Sequence, residues 1–314
     1  MQFTTCKLYG IQSKRKLSYI LKTSLASLKN VDLSFQSKNF YQQNRLLTNP
    51  SEELKVILQR ITKYLFTIGI PEYEFGGIKD RSFVTNVEMH VGHGFVLRTD
   101  IRHFFPNTHY GDVYVFFHEI MNMSVDCATI MAKLTTYRCN QNYRSLPQGY
   151  PTSPILSLFS YLNMFEEINT YAVKNGFTFT AYYDDITISS KRFIGRSHLR
   201  VIIHILKKYG FQAHPQKTKL VKISKNSSRI KITGLLLQKD ETLVPKKLYK
   251  KLHVAMKNID SALKQSNSRL NKADAKKIVQ QARGCIAAIN TIGSNDEFQG
   301  YSDRIRQLEK RCYY

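Results

Sequence analysis

Three acidic residues have the types and spacing for phosphate chemistry. Asp184 and Asp185 are adjacent inside TFTAYYDDITISS, residues 178–190, and Asp100 stands near the end of GFVLRTDI, residues 94–101. The first run alternates around the acidic pair as two strands joined by a tight turn would, so the pair projects from a hairpin. Asp100 falls at a strand end, just before the turn HFFPN. Phosphoryl transfer needs a hydroxyl made more acidic, a charged phosphorus centre stabilised and a pyrophosphate leaving group neutralised; two divalent cations about 3.5–4 Å apart can do all three. Magnesium binds through one or two carboxylates together with substrate phosphates, so one strand-end Asp and one turn-borne pair suffice. An Asp-Asp pair in a turn is also common as a merely solvated pair. The apolar and aromatic flanks tip the balance, because they bury the hairpin and make two adjacent like charges costly without a cation.

The elements that must position these acids follow from periodicity. Residues 14–30 and 51–66 repeat apolar residues at helical spacing, the second behind a Pro-Ser entry with acids in its first turn. Further helices are expected over about 109–123, over 154–173 as one long buried helix with Pro at its first turn, and over 196–209. IKITGLLLQ and ETLVP read as a strand pair, while 224–228 and 264–271 read as polar loops. After Pro245 the composition changes: residues 246–283 hold eleven Lys or Arg and two acids, with Leu248, Leu252, Met256, Ile259 and Leu263 at helical spacing. The chain is expected to be α+β in three parts, 1–95, 96–243 and a basic helical 244–314.

Charge narrows the partners. Lys and Arg number 47 against 23 Asp and Glu, a net +24 that repels itself unless a polyanion neutralises it. Nucleic acid fits; an anionic membrane surface or simple solubility are the other readings. Five scattered cysteines without a CxxC pair indicate neither a disulfide framework nor a zinc site and suit a reducing cytoplasm. The pair His90 and His93, HxxH, lacks a third ligand nearby. No stretch approaches the roughly 20 apolar residues that cross a bilayer, so no membrane partner is expected.

An ordered set of segments carries more than any one of them: TDIRHFF with Asp100, LPQGYPTSP at 146–154, AYYDD at 181–185, GFQAHPQKT with Lys217, and KITGLLL at 231–237. In order and spacing this succession resembles the palm motifs of reverse transcriptases. NVEMH, Asn86 to His90, resembles the NAxxH signature of the bacterial retron enzymes, and Ile232-Thr233-Gly234 resembles their VTG. Val87 and Ile232 are the departures, and Tyr183 stands where many bacterial relatives have Ala.

The resemblance implies a right-hand polymerase fold, with 1–95 as N-terminal helices and fingers, 96–243 as palm with an inserted fingers segment near 107–145, and 244–314 as thumb. It implies two Mg2+ ions, or Mn2+ in their place, on Asp100, Asp184 and Asp185, with the Ile101 carbonyl as an extra ligand. Phe105 matches the aromatic gate that excludes a ribose 2′-hydroxyl, although Phe104 and Phe105 could both be core. Gln148 and Gly149 match the PQG segment at the nucleotide and template. Lys217 is a general acid for pyrophosphate, a phosphate-neutralising cation or a merely solvated lysine, and Arg45 and Lys79 are candidates for the triphosphate. Asn86, His90 and the thumb residues Lys246, Lys247, Lys250, Lys251 and Lys257 are candidates for RNA, His90 being alternatively a structural hydrogen-bonding residue. The implied partners are a structured non-coding RNA, its DNA product, deoxynucleoside triphosphates and a separate effector protein in anti-phage defence, with synthesis primed from a 2′-hydroxyl to give a branched hybrid. No RNase H domain is expected in the chain. Two rivals stand beside this reading: another bacterial reverse transcriptase, group II intron-like or from a different defence lineage, and a nucleic-acid-binding scaffold that restrains a partner protein.

Overall fold

Alternation over 178–190 does produce a hairpin. Thr178–Tyr182 pairs antiparallel with Asp185–Ser190, Tyr182 facing Asp185 across a two-residue turn. Phe95–Asp100 pairs antiparallel with the other edge of Asp185–Ser190, and Lys219–Lys222 completes a four-stranded sheet beyond it. Buried Val96, Thr99, Ile186, Thr187 and Ile188 supply the β-branched side chains that a covered, pleated sheet packs best. Leu162–Lys174 lies against the hairpin's first strand, and Arg196–Lys208 packs on that helix. The structure, a computed structural model, describes residues 1–42, 45–140, 143–223, 228–238, 241–244, 246–264, 272–292 and 299–313.

Contacts divide the chain into two compact units: Met1–Ser82 with Phe95–Leu220, and Phe83–Gly94 with Val221–Tyr314. The first unit holds Phe95–Asp100, Thr178–Tyr182 and Asp185–Ser190 of that sheet and one apolar core running from Leu8 and Leu17 through Leu58, Phe116 and Phe159 to Phe211. Glu52–Leu65 is the helix expected over 51–66: Ser51 Oγ caps it by accepting from Leu54 N–H, and Leu54, Ile57, Leu58, Ile61 and Leu65 form its buried stripe.

Three expected elements are corrected. The helix over 14–30 is broken into Lys14–Leu21, Leu25–Lys29 and Val31–Ser34. Lys22 ends the first piece in the left-handed region (φ 50°), and Ser24 Oγ caps the second by accepting from Ser27 N–H at 2.9 Å. The helix over 154–173 is two, Ser153–Ser160 and Leu162–Lys174, because Tyr161 leaves helical geometry (φ −121°, ψ 28°) while its ring edges onto Phe211 at 4.6 Å. IKITGLLLQ is itself a hairpin: Ile230–Ile232 and Leu235–Gln238 flank Thr233-Gly234, both at positive φ, as a type I′ turn demands, and Glu241–Leu243 adds a third strand. The expected loops at 224–228 and 264–271 lie almost wholly outside the described residues.

A further hairpin, Ser37–Gln42 with Arg45–Pro50, was not legible in the sequence. It is tied to the PQG segment: Thr48 N–H donates to the Gln148 carbonyl at 2.7 Å, and a Cβ added at Gly149 (φ 121°) would collide with the Thr48 carbonyl oxygen. The close approach that Gly149 permits within the chain is thus to Thr48. Gly149→Ala meets both strained φ and a backbone clash, and is expected to cost about 2–4 kcal/mol, read as the drop in urea-unfolding free energy.

In the second unit, Lys246–Lys264, Lys272–Ile292 and Gln299–Tyr313 pack around Leu252, Met256, Ile259, Val279, Ile289, Ile305 and Leu308. The apolar stripe expected from Leu248 to Leu263 is the packed face of the first of these helices, with Leu248 and Leu263 at its half-buried margin. Among the described residues no helix is long and apolar enough to cross a membrane. Cys6, Cys127 and Cys285 are free thiols.

Candidate active site

Sheet register brings the acids together. Asp100 and Asp185 are directly opposed on neighbouring antiparallel strands, a placement that destabilises two like charges. Asp184 is the second residue of the hairpin turn, after Tyr183 at φ 58°. Ile101 N–H donates to the Asp184 carbonyl at 2.8 Å, so the residue after Asp100 is tied to the turn. The GFQAHPQKT segment is stitched to the same strand end: His214 N–H donates to the Asp100 carbonyl at 2.8 Å and Arg102 N–H to the Gln212 carbonyl at 2.9 Å. That stitching delivers Lys217, whose Nζ lies 2.6 Å from Asp100 Oδ2. Arg98 Nη2 lies 2.6 Å from Asp185 Oδ1.

Three carboxylates therefore share two cationic partners. Burial first, and then the charges of Asp100 and Asp185, push the Asp184 carboxyl up to about 6 from its ordinary value of 3.8. The surplus negative charge and the all-oxygen donor set fit a hard divalent cation. Among the described residues no three His, Cys, Asp or Glu side chains already converge as a metal cage, and Lys217 and Arg98 each hold one of the carboxylates in an ion pair.

Around this centre the two phenylalanines separate. Phe104 is buried among Tyr161, Phe165 and Phe211, whereas Phe105 is half-buried with its ring 6.4 Å from that of Tyr183, edge to face. Gln148 is half-buried and Gly149 exposed. Arg45 and Lys79 are exposed, and neither is in an ion pair among the described residues. Arg98 was missed from sequence because it was read only as part of a strand run. Its signal is the i, i+2 relation to Asp100, which places both on one face of a strand.

A family model described as reverse transcriptase (RNA-dependent DNA polymerase) matches residues 15–237. The chain belongs to the reverse transcriptase family. Curated members similar to it include the Retron Se72 reverse transcriptase of Salmonella heidelberg, 26% identical over 72% of this chain and 59% of that protein. The Retron Ec86 reverse transcriptase of Escherichia coli is 27% identical over 71% of this chain and 68% of that protein. A third, the Retron Ec48 reverse transcriptase of Escherichia coli, is 22% identical over 95% of this chain and 76% of its own length. The match to the first thus spans less than two thirds of that reverse transcriptase.

The two retron-like signatures of this chain, 142 residues apart at their nearest ends by number (90 and 232), fall in its second unit and touch. Asn86 Nδ2 donates to Thr233 Oγ1 at 3.4 Å, and Thr233 Oγ1 donates to the Phe83 carbonyl at 3.0 Å. Asn86 is 1% exposed and His90 fully buried, and burial pushes His90 well below the usual imidazole range, to about 3. Both side chains are therefore interior rather than at the surface. Lys246, Lys247, Lys250, Lys251 and Lys257 are all exposed on one helix.

Proposed function

We propose that this chain is a retron-type reverse transcriptase that copies a structured non-coding RNA into DNA. The observation that carries the polymerase reading is the placement of Asp100, Asp184 and Asp185 at one end of the sheet, with Lys217 and Arg98 paired to two of them. The retron reading is supported by the contact between Asn86 and Thr233 and by the names of the curated relatives. In this reading the sheet is palm, the N-terminal helices and the hairpin bearing Arg45 are fingers, and the helices after residue 246 are thumb.

Asp100, Asp184 and Asp185, with the Ile101 carbonyl, would hold two Mg2+ ions. When bound, these ions would make the primer hydroxyl more acidic and neutralise the phosphates. Arg98 holds Asp185 in place. Lys217 supplies a proton or a positive charge to departing pyrophosphate. Phe105 blocks a 2′-hydroxyl on the incoming sugar, Gln148 lines the nucleotide's side, and Arg45 and Lys79 neutralise the triphosphate. The exposed lysines of the first thumb helix track phosphates of the RNA–DNA duplex, whose recognition is by shape and backbone. Priming from an internal guanosine 2′-hydroxyl, a branched product, and work beside a separate effector in anti-phage defence complete the proposal.

Asp184 sets a pH dependence. Its carboxyl ionises near 6 in the folded chain against 3.8 ordinarily, so it contributes stability that is complete below about pH 4 and lost as pH rises through about 6. Cation binding needs the ionised form. The rise in melting temperature on adding MgCl2 is expected to be larger at about pH 7.5 than at about pH 5.5, and to shrink in Asp184→Asn.

The retron reading is tested by expressing the chain with its native flanking DNA and sequencing the nucleic acid that copurifies. Branched RNA–DNA is expected with wild type and absent with Asp184→Asn plus Asp185→Asn. Linear products alone, from a wild type active on supplied primer and template, would remove the retron reading and leave the polymerase.

A further inference from the structure

A buried carboxyl with no part in the chemistry above sits beneath the turn that carries Asp184. Glu74 is 3% exposed. Its Oε1 accepts from Gly76 N–H at 2.7 Å and from Tyr183 N–H at 3.2 Å. Its backbone is joined to the catalytic hairpin: Glu74 bridges Ala181 in parallel fashion, Phe75 N–H donates to the Ala181 carbonyl at 2.8 Å, and Ala181 N–H donates to the Tyr73 carbonyl at 2.7 Å.

Tyr183 needs holding. It occupies the first position of a two-residue turn at φ 58°, where a side chain is unfavourable and glycine is the usual choice. Its ring is seated on two glycines: a Cβ added at Gly76 would lie 2.5 Å from Tyr183 Cδ1, and one added at Gly77 would lie 2.5 Å from Tyr183 Oη. Ring edges of Tyr182 at 5.1 Å and Phe105 at 6.4 Å pack around it. A residue in a sparsely populated backbone region persists when its surroundings over-determine it, and such residues gather where geometry matters for function. Here the surroundings converge on the residue immediately before Asp184.

We propose that Glu74 is a positioning residue for the catalytic turn: its Oε1 clamps the Tyr183 N–H and, with Gly76 and Gly77 as a seat for the ring, holds the left-handed conformation that aims Asp184. This rests on the polymerase reading. What the clamp requires is an acceptor oxygen, not a charge. Burial pushes the Glu74 carboxyl up to about 8, toward the neutral form, and an amide offers the same acceptor oxygen.

The test uses the full chain as wild type, Glu74→Gln and Glu74→Leu, with primer extension on an RNA template measured against Mg2+ and against deoxynucleotide concentration, and a thermal melt of each protein. Glu74→Gln is expected to stay within about threefold of wild type. Glu74→Leu is expected to lose about 10–100-fold in kcat, the range seen when supporting partners of metal ligands are removed. It should also need several-fold more Mg2+ for half-maximal rate, with KM for deoxynucleotide moving less than about threefold. Wild-type rates in folded Glu74→Leu, an equal loss in Glu74→Gln, or a loss with unchanged Mg2+ dependence would each overturn the proposal. Should Glu74→Leu fail to fold, amide exchange at Tyr183 decides: slow exchange in both wild type and Glu74→Gln supports the clamp, and fast exchange in wild type overturns it. A wild-type chain that makes no DNA defeats the polymerase reading instead, and the same exchange measurement still judges the clamp.

Discussion

Asp184→Asn is expected to lower DNA synthesis by about 10³-fold or more, since several kcal/mol of charge stabilisation at the reacting phosphate leave with the ligand, and yet to leave the folded chain as stable as before or more so. The two outcomes have one cause. Asp184 is buried beside two other acids, and its carboxyl is pushed up to about 6, so at neutral pH it is ionised against the preference of the fold. Removing the charge relieves that repulsion. Asp185→Asn should behave oppositely in stability while also losing activity. Its Oδ1 is paired with Arg98 at 2.6 Å, with both side chains largely buried, and the substitution removes the charge that faces this guanidinium, at a cost of about 1–3 kcal/mol. Two neighbouring acids thus give opposite shifts in urea midpoint and the same loss of activity. Equal destabilisation by both would argue that the turn is structural.

The second large effect concerns the sugar. Phe105→Ala is expected to reduce discrimination between deoxy- and ribonucleoside triphosphates by about 100-fold, read as the ratio of kcat/KM for the two, with deoxynucleotide incorporation falling far less. Phe104→Ala is the control. Phe104 is 3% exposed and packed against three core rings, so its truncation should cost about 3–5 kcal/mol of stability and leave the sugar preference alone. If Phe104→Ala were the variant that admitted ribonucleotides, the assignment of adjacent rings would be reversed.

Much of the candidate site's framework was legible because it is built from short-range pattern. Alternation around YYDD specifies a hairpin whose turn must fall near the acids, and a strand ending at Asp100 needs only one register to oppose Asp185. The apolar stripe of Lys246–Lys264 was equally plain, since 3.6-residue periodicity survives any change of partner. What sequence hid depends on partners far along the chain. Glu74 is an ordinary acid in YEFGG until the backbone N–H of Tyr183, 109 positions away, comes to its side chain. Tyr161 interrupts an unbroken helical pattern because its ring is edged onto Phe211, a tertiary contact that overrides propensity. The hairpin Ser37–Pro50 shows mostly exposed positions, so no apolar alternation announced it. Residues 83–94 belong with the second unit, a pairing visible only once Asn86 meets Thr233.

The most direct measurement is primer extension by the purified full chain on an RNA template, with all four deoxynucleotides and Mg2+, run beside Asp184→Asn. DNA complementary to the template is expected from wild type, abolished by chelation of the cation and by the substitution. DNA made equally by Asp184→Asn, or none made by folded wild type that binds the primed template, would contradict a polymerase centre at Asp100, Asp184 and Asp185.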